Sequence, residues 1–269
     1  MTARAVILAA GRGTRMQRVT PAAGLSPAQQ DAAARGLKGL IPVGRPFLDY
    51  VLSGLADVGI ARACLVVAPG PNPLREYYSG PGRPSRLVLA FAEQPQPLGT
   101  ANAVLAAEAF AAGDPVLVLN ADNLYPAAGL TALRRLPQGG LLGFRRSALL
   151  RAGNFPAERI NAFALIEVDA ARELAGILEK PDPEAAARFG ADPLVSMNAW
   201  LLPPTIYAAC RAIAPSPRGE LELQDAVRLL LELGERFTVL ESEDAVLDLS
   251  RPEDIPLVTA RLAAVEPRP

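Results

Sequence analysis

Apolar runs of strand length alternate with stretches of helical periodicity through the first half of the chain, and that alternation leaves few folds open. Arg4–Leu8 reads as a strand. Residues 46–58 read as a helix with Phe47, Tyr50, Val51, Leu55 and Val58 on one face. Residues 63–67 and 87–91 read as strands, 100–112 as a helix with Thr100 as its N-cap, and 115–119 as a further strand. The last is almost wholly apolar, as a strand covered on both faces must be. The order β-α-β-α predicts an α/β protein with a mainly parallel sheet and helices on both sides.

The second half is less regular. Residues 141–145, 162–168, 176–179 and Leu194–Leu202 read as strands, 181–189, 204–213 and 221–233 as helices, and 237–241 and 245–249 as short strands. Ser250 and Glu253 spell a capping box that opens a last helix to about residue 265, and 266–269 reads as a frayed tail. Residues 17–37 form an inserted segment in which Ser26-Pro27 opens a short helix and Gly36 closes it. No repeat or long linker interrupts the pattern. One domain is expected over 1–265, with halves of about 1–135 and 136–265.

Composition removes whole classes of chemistry. The 269 residues include no histidine and two cysteines, so histidine triads, histidine bases and structural zinc sites are excluded. Any metal must be hard and carboxylate-bound, Mg²⁺ or Mn²⁺. A net charge of −1 offers no general field for nucleic acid. No apolar run is long enough for a membrane span, the first residues run into a core strand rather than a leader, and Cys64 and Cys210 sit in apolar stretches as buried thiols. These features make the cytoplasm the expected compartment. Only two of the 27 basic residues are lysine, Lys38 and Lys180. Where arginine has replaced lysine almost everywhere, a surviving lysine marks either chance or a need for a compact charge on a flexible stem.

Directly after the first strand comes Leu8-Ala9-Ala10-Gly11-Arg12-Gly13-Thr14-Arg15-Met16. Small residues there let backbone N–H groups approach an anion, and Arg15 adds a guanidinium. The same residues also suit a tight turn without a ligand. A P-loop is ruled out by the missing Gly-Lys-Ser/Thr ending. A dinucleotide fingerprint is ruled out by Met16 in place of the third glycine and by Val67-Ala68-Pro69 in place of an acid after the second strand.

This loop, with Gly36-Leu37-Lys38-Gly39-Leu40-Ile41-Pro42-Val43, Glu93-Gln94-Pro95-Gln96-Pro97-Leu98-Gly99-Thr100-Ala101, Asn120-Ala121-Asp122, Glu179-Lys180-Pro181, Arg218-Gly219-Glu220-Leu221-Glu222-Leu223-Gln224-Asp225 and Asp248, resembles the sugar-phosphate nucleotidyltransferases. Each motif is short, but the ordered set spans most of the chain, and both lysines fall on motif positions. The resemblance implies a GT-A-like, Rossmann-like three-layer α/β/α fold with a mainly parallel mixed central sheet. It also implies a reaction: a sugar 1-phosphate oxygen attacks the α-phosphorus of a nucleoside triphosphate, pyrophosphate leaves, and an NDP-sugar forms. That chemistry needs positioning and positive charge more than a base, because the attacking oxygen is already ionised.

The roles follow residue by residue from the resemblance. Asp122 and Asp248 would hold Mg²⁺, with Mn²⁺ as a substitute; as plain sequence they also suit an Asx-turn and a cap. Arg15 and Lys38, with Leu8, Ala10, Gly11, Gly13 and Thr14, would face the triphosphate. Gln94, Gly99 and Thr100 would meet the base, and the Gln94 amide favours UTP or dTTP. Lys180 and Arg218 would clamp the sugar-bound phosphate, and Glu179, Ala164 and Asn198 would contact the sugar. Otherwise the charged residues among these are solvated ion pairs.

The sequence departs from the family in the length of 17–37, at Gly39, at Ala164 and at Ala199-Trp200. These changes bear on which base and sugar are used. The insertion 17–37 is expected near the triphosphate, where it could close as a lid. The expected partners are an NTP and a sugar 1-phosphate, with neither nucleic acid nor membrane; a homo-oligomer is compatible with the sequence. A cytidylyl- or guanylyltransferase for another phosphorylated acceptor, or a non-catalytic nucleotide-sugar-binding regulator, are the competing readings.

Overall fold

Each of the three central strands sends alternate side chains into two different cores, and that division sets the architecture. It is seen in a computed structural model that describes residues 1–18, 24–179 and 181–269. In chain order the elements are β1 (Arg4–Leu8), α1 (Pro27–Ala34), a single 3₁₀ turn at Lys38–Leu40, α2 (Phe47–Asp57), β2 (Arg62–Val67), α3 (Pro73–Ser79), β3 (Val88–Glu93), α4 (Thr100–Ala106), α5 (Glu108–Ala111) and β4 (Val116–Asn120). Then follow β5 (Asn123–Leu124), α6 (Ala127–Leu133), β6 (Gly139–Arg145), α7 (Arg146–Ala152), α8 (Ala157–Ile160), β7 (Leu165–Val168) and β8 (Leu174–Leu178). The chain continues with α9 (Pro183–Ala187), β9 (Leu194–Leu202), α10 (Ile206–Ala212), α11 (Leu223–Glu232), β10 (Phe237–Ser242), β11 (Leu247–Asp248) and α12 (Asp254–Leu262).

The strands order as β10-β6-β9-β4-β1-β2-β3, with β7 and β8 attached beside β9, and β11 pairs with β5 in a small ribbon. β3, β2, β1 and β4 run parallel, whereas β9 is antiparallel to both β4 and β6. The sheet is therefore mixed and mostly parallel, as expected. Ala5, Ile7, Leu65, Leu117 and Leu119 pack on one face against α2, whose buried residues include Phe47, Leu48, Val51, Leu52 and Leu55. Val6, Cys64, Val66, Val116 and Val118 pack on the other against α4, α10 and α11. Burying one such aliphatic side chain contributes about 1.5–3 kcal/mol. Trp200 of β9 meets the Phe237 ring edge-on at 6.4 Å and ties the antiparallel strand into the second core.

Several expectations need correcting. The helix read over 100–112 is two helices, broken at Ala107, and its N-cap is Gly99 at φ 110°, not Thr100. The Thr100 hydroxyl instead accepts from Leu223 N at 2.9 Å, at the start of α11. The Ser250–Glu253 capping box does not form, because the Ser250 hydroxyl turns to two carboxylates. The Asp254 carboxylate accepts from the backbone N of Ser250 and Arg251 at 3.0 and 2.8 Å. The tail is not frayed: Arg268 N donates to Ser53 Oγ and Ser85 N to the Pro269 carbonyl, at 3.0 and 2.9 Å. The helix start expected at Ser26-Pro27 does form: Ser26 caps α1 with Pro27 in its first turn, and Gln29 completes a capping box that sequence reading missed. Both thiols are buried and free, with burial pushing each up to about 12. Among the described residues no helix is long and apolar enough to cross a membrane.

Parallel strands present their C-terminal ends on one edge of the sheet, so β1 and β4, registered Leu8 to Asn120, open into the same crevice. The glycine-rich loop leaves β1 there. Gly13, at φ 64°, turns it so tightly that a Cβ would lie 2.5 Å from the Gly36 carbonyl oxygen. This backbone contact joins the loop to the segment carrying Lys38. Gly13→Ala should therefore cost about 2 kcal/mol, through the left-handed backbone and the clash. Gly11→Ala, with nothing within 4 Å of its Cβ, should cost far less. Urea unfolding of the two variants checks the contrast.

Candidate active site

The site is a continuous cleft of two joined cavities, about 650 and 590 Å³, sharing Thr100, Asn120, Asp122, Asn198, Arg218 and Glu220 as a common wall. One cavity is lined by Leu8, Ala10, Gly11, Thr14, Gln94 and Gly99. The other is lined by Arg15, Lys38, Ala164, Glu179, Asp248 and Gln224. The structure thus brings together every described residue expected at the site except Gly13, which shapes the loop from behind. Lys180 lies outside the described residues, as does part of the insertion 17–37.

The first cavity carries the residues expected to meet the base and the phosphates. Gln94, buried at the end of the β3 run, donates both amide hydrogens within the protein. Its Nε2 lies 3.0 Å from the Gly99 carbonyl and 2.9 Å from Asn102 Oδ1. Its Oε1 has no hydrogen-bond donor among the described residues, so the side chain presents an acceptor to the cleft. Gly99 is required where it stands, since a Cβ would lie 2.5 Å from the Leu221 carbonyl oxygen. Leu221 in turn donates to Leu98 O and accepts from Ala101 N, which pins the Arg218 segment over the start of α4.

At the junction of the cavities Lys38 Nζ donates to Asp122 Oδ2 at 2.7 Å. Ser250 Oγ lies 3.4 Å from that oxygen and 2.9 Å from Asp248 Oδ1. Asn123 Nδ2 also donates to Asp248 Oδ1, at 2.9 Å. Asp248 is 4% exposed, and its second oxygen is ion-paired with Arg159. No group of three or more histidine, cysteine or acidic ligands occurs among the described residues. Two aspartates facing one hydroxyl suit a hard cation that keeps several waters and draws its remaining ligands from phosphates, so the residues fit Mg²⁺ and not zinc.

The second cavity carries the residues expected to contact the sugar. The β6–β9 register slips between Leu141 and Gly143, leaving Asn198 in a bulge of β9 at φ 57°. Such bulges re-aim a side chain, and asparagine tolerates this backbone better than most residues. Asn198 Oδ1 accepts from Gln224 Nε2 at 3.2 Å and from Trp200 Nε1 at 3.4 Å. Gln224 is 6% exposed, and its Oε1 has no hydrogen-bond partner. A buried acceptor without a partner costs free energy until a donor reaches it. Sequence reading missed Gln224 as a contact, although the segment that carries it was singled out. It also missed Arg159, Ser250 and Asn154. Arg218 is ion-paired with Glu222. Glu179 titrates above the ordinary carboxylate range, because it is desolvated and repelled by Glu222; Arg218 opposes the shift.

A carboxyl raised in the folded state favours folding below its unfolded value, and that contribution is lost as pH rises through the folded value. Glu179→Gln should therefore gain stability relative to the parent as pH rises from about 4.5 toward neutrality. Urea midpoints across that range would show it; parallel pH profiles for the two proteins would contradict it.

A family model described as nucleotidyl transferase matches residues 4–260. The chain is 26% identical over 252 residues to a UTP–glucose-1-phosphate uridylyltransferase of Haloferax volcanii, with 93% of each chain covered. It is 30% identical over 242 residues to a glucose-1-phosphate thymidylyltransferase of Streptomyces griseus, covering 88% of this chain and 60% of that protein. Among solved structures, a UDP-glucose pyrophosphorylase from Acinetobacter superposes with TM-score 0.70 at 20% identity, over 99% of this chain and 96% of that one, a likeness of fold. With the match running from β1 into α12, the chain belongs to the nucleotidyl transferase family.

Proposed function

We propose that this protein transfers the nucleotidyl group of UTP or dTTP to a sugar 1-phosphate, releasing pyrophosphate and forming an NDP-sugar. The observation that carries the reading is the joined cleft. An acceptor-bearing base pocket and a hydroxyl-recognising pocket meet at Asp122 and Lys38, where the two phosphates would have to approach.

The chemistry divides among the residues as follows. The Gly11–Thr14 backbone, Arg15 and Lys38 receive the triphosphate, and their positive charge lowers the barrier to bringing two anions together. Arg218, released from Glu222, meets the sugar-bound phosphate, and Lys180 takes the same role by its place in the Glu179-Lys180-Pro181 motif. No side chain has to remove a proton from the attacking oxygen, which is why a chain without histidine suffices. Asp122 and Asp248 would hold Mg²⁺, which when bound neutralises phosphate charge. Glu179, Asn198 and Gln224 orient the sugar through its hydroxyls.

For the base, Gln94 supports the choice of uracil or thymine. With both amide hydrogens committed, its Oε1 can accept from the N3–H of uracil or thymine, whereas N3 of cytosine is itself an acceptor. Pyrophosphate release should be measured with Mg²⁺ for UTP, dTTP, CTP, ATP and GTP, each paired with several hexose 1-phosphates. Turnover is expected in the UTP or dTTP columns. Turnover confined to CTP or a purine would refute the base reading, and a silent grid with folded protein would refute the reaction. Gln94→Leu should lower kcat/KM for the preferred nucleotide by roughly ten- to a hundredfold. In the same assay Gln224→Leu should raise KM for the sugar phosphate about tenfold with little change in KM for the nucleotide. An equal loss for both substrates would assign Gln224 to the fold rather than to the sugar.

A further inference from the structure

Arg159 reaches the site from α8, in a stretch between β6 and β7 that carries no motif. It is 8% exposed yet lines the cleft. Its Nη1 donates to both oxygens of Asp254, at 2.8 and 3.0 Å, and its guanidinium lies over the Phe155 ring, 5.3 Å from the centroid. Asp254 is fixed by the backbone N–H groups of Ser250 and Arg251. The same stretch grips the Asp248 main chain: Asn154 donates to its carbonyl at 2.6 Å and accepts from its N–H at 2.8 Å. Asp248 is thus held by backbone through Asn154 and by side chain through Arg159.

We propose that Arg159 is a positioning residue that keeps Asp248 neutralised, so that the aspartate pair takes up a divalent cation strongly only when phosphate oxygens arrive with it. The inference rests on the metal role of Asp122 and Asp248 given above. Each aspartate already carries its own cation, Lys38 on Asp122 and Arg159 on Asp248. A bare divalent ion entering here meets two resident positive charges and one carboxylate oxygen already taken by arginine, and both oppose it. An ion carrying a triphosphate brings negative charge that Lys38 and Arg159 favour. Because Asp254 and Phe155 retain the guanidinium, Arg159 stays in place whichever ion Asp248 faces.

The test is Mn²⁺ binding to nucleotide-free protein, followed by electron paramagnetic resonance, with folding checked by circular dichroism. Arg159→Gln should bind free Mn²⁺ about tenfold more tightly than the parent. Arg159→Lys, which keeps the charge, should bind as weakly as the parent. Unchanged or weaker binding by folded Arg159→Gln, as a merely structural clamp requires, would overturn the proposal; so would tight binding by Arg159→Lys. Should Arg159→Gln not fold, Arg159→Met, which keeps an apolar stem over Phe155, carries the same expectation. Adding Asp122→Asn to the tightened variant should abolish the gain. If the gain survived, the ion would sit elsewhere and the metal role of the aspartates would be what fails, a result the pyrophosphate assay distinguishes from loss of the reaction.

Discussion

Compensated charge is the constraint around which this cleft is organised. Three acidic groups of the cleft are held by a cation or by amide and hydroxyl donors: Asp122 by Lys38, Asp248 by Arg159, Ser250 and Asn123, Glu222 by Arg218. The cations come from three separate regions, the turn after α1, α8, and the approach to α11. The charge pairs therefore tie the connections between elements to the sheet edge where β1 and β4 end. An anionic substrate entering the cleft meets partners that are already paired, so binding exchanges one set of ion pairs for another and avoids stripping water from bare charges.

Sequence periodicity placed most of the frame. β1 and β9 were legible to the residue because their apolar runs end in sharp changes of composition. α1 was legible because Ser26 and Pro27 are specific helix-start chemistry. The short helices α3, α6, α7 and α8 were not, since four to seven residues give too little periodicity to stand out from a loop. At Thr100 and Ser250 the correct residue types pointed to the wrong bonds. A hydroxyl accepts or donates wherever a partner is nearest; for Thr100 that is Leu223 N at the start of α11, and for Ser250 the carboxylates of Asp248 and of the sequence-distant Asp122.

The site itself divides the same way. Residues on motifs were found because those motifs are contiguous: the glycine-rich loop, Lys38, Gln94, Asp122 and Arg218. Gln224 and Arg159 matter through an unpaired oxygen and an ion pair between α8 and β11, and neither property exists until the chain folds. The committed amide of Gln94 is of the same kind. Its identity was visible, but which of its amide atoms stays open depends on Gly99 and Asn102 having used its donors.

The contact between Gly13 and Gly36 has an evolutionary corollary. The two backbones touch across a gap of more than twenty residues, so the chain between them leaves and re-enters the site at one point, like a loop of thread drawn through a ring. Its length beyond Arg15 is then decoupled from the contact that joins the loop after β1 to the turn carrying Lys38. Residues beyond Arg15 can be added or trimmed without breaking that contact, provided both glycines remain. A lineage can thus vary the length of this segment while the two glycines keep the loop and the turn in contact.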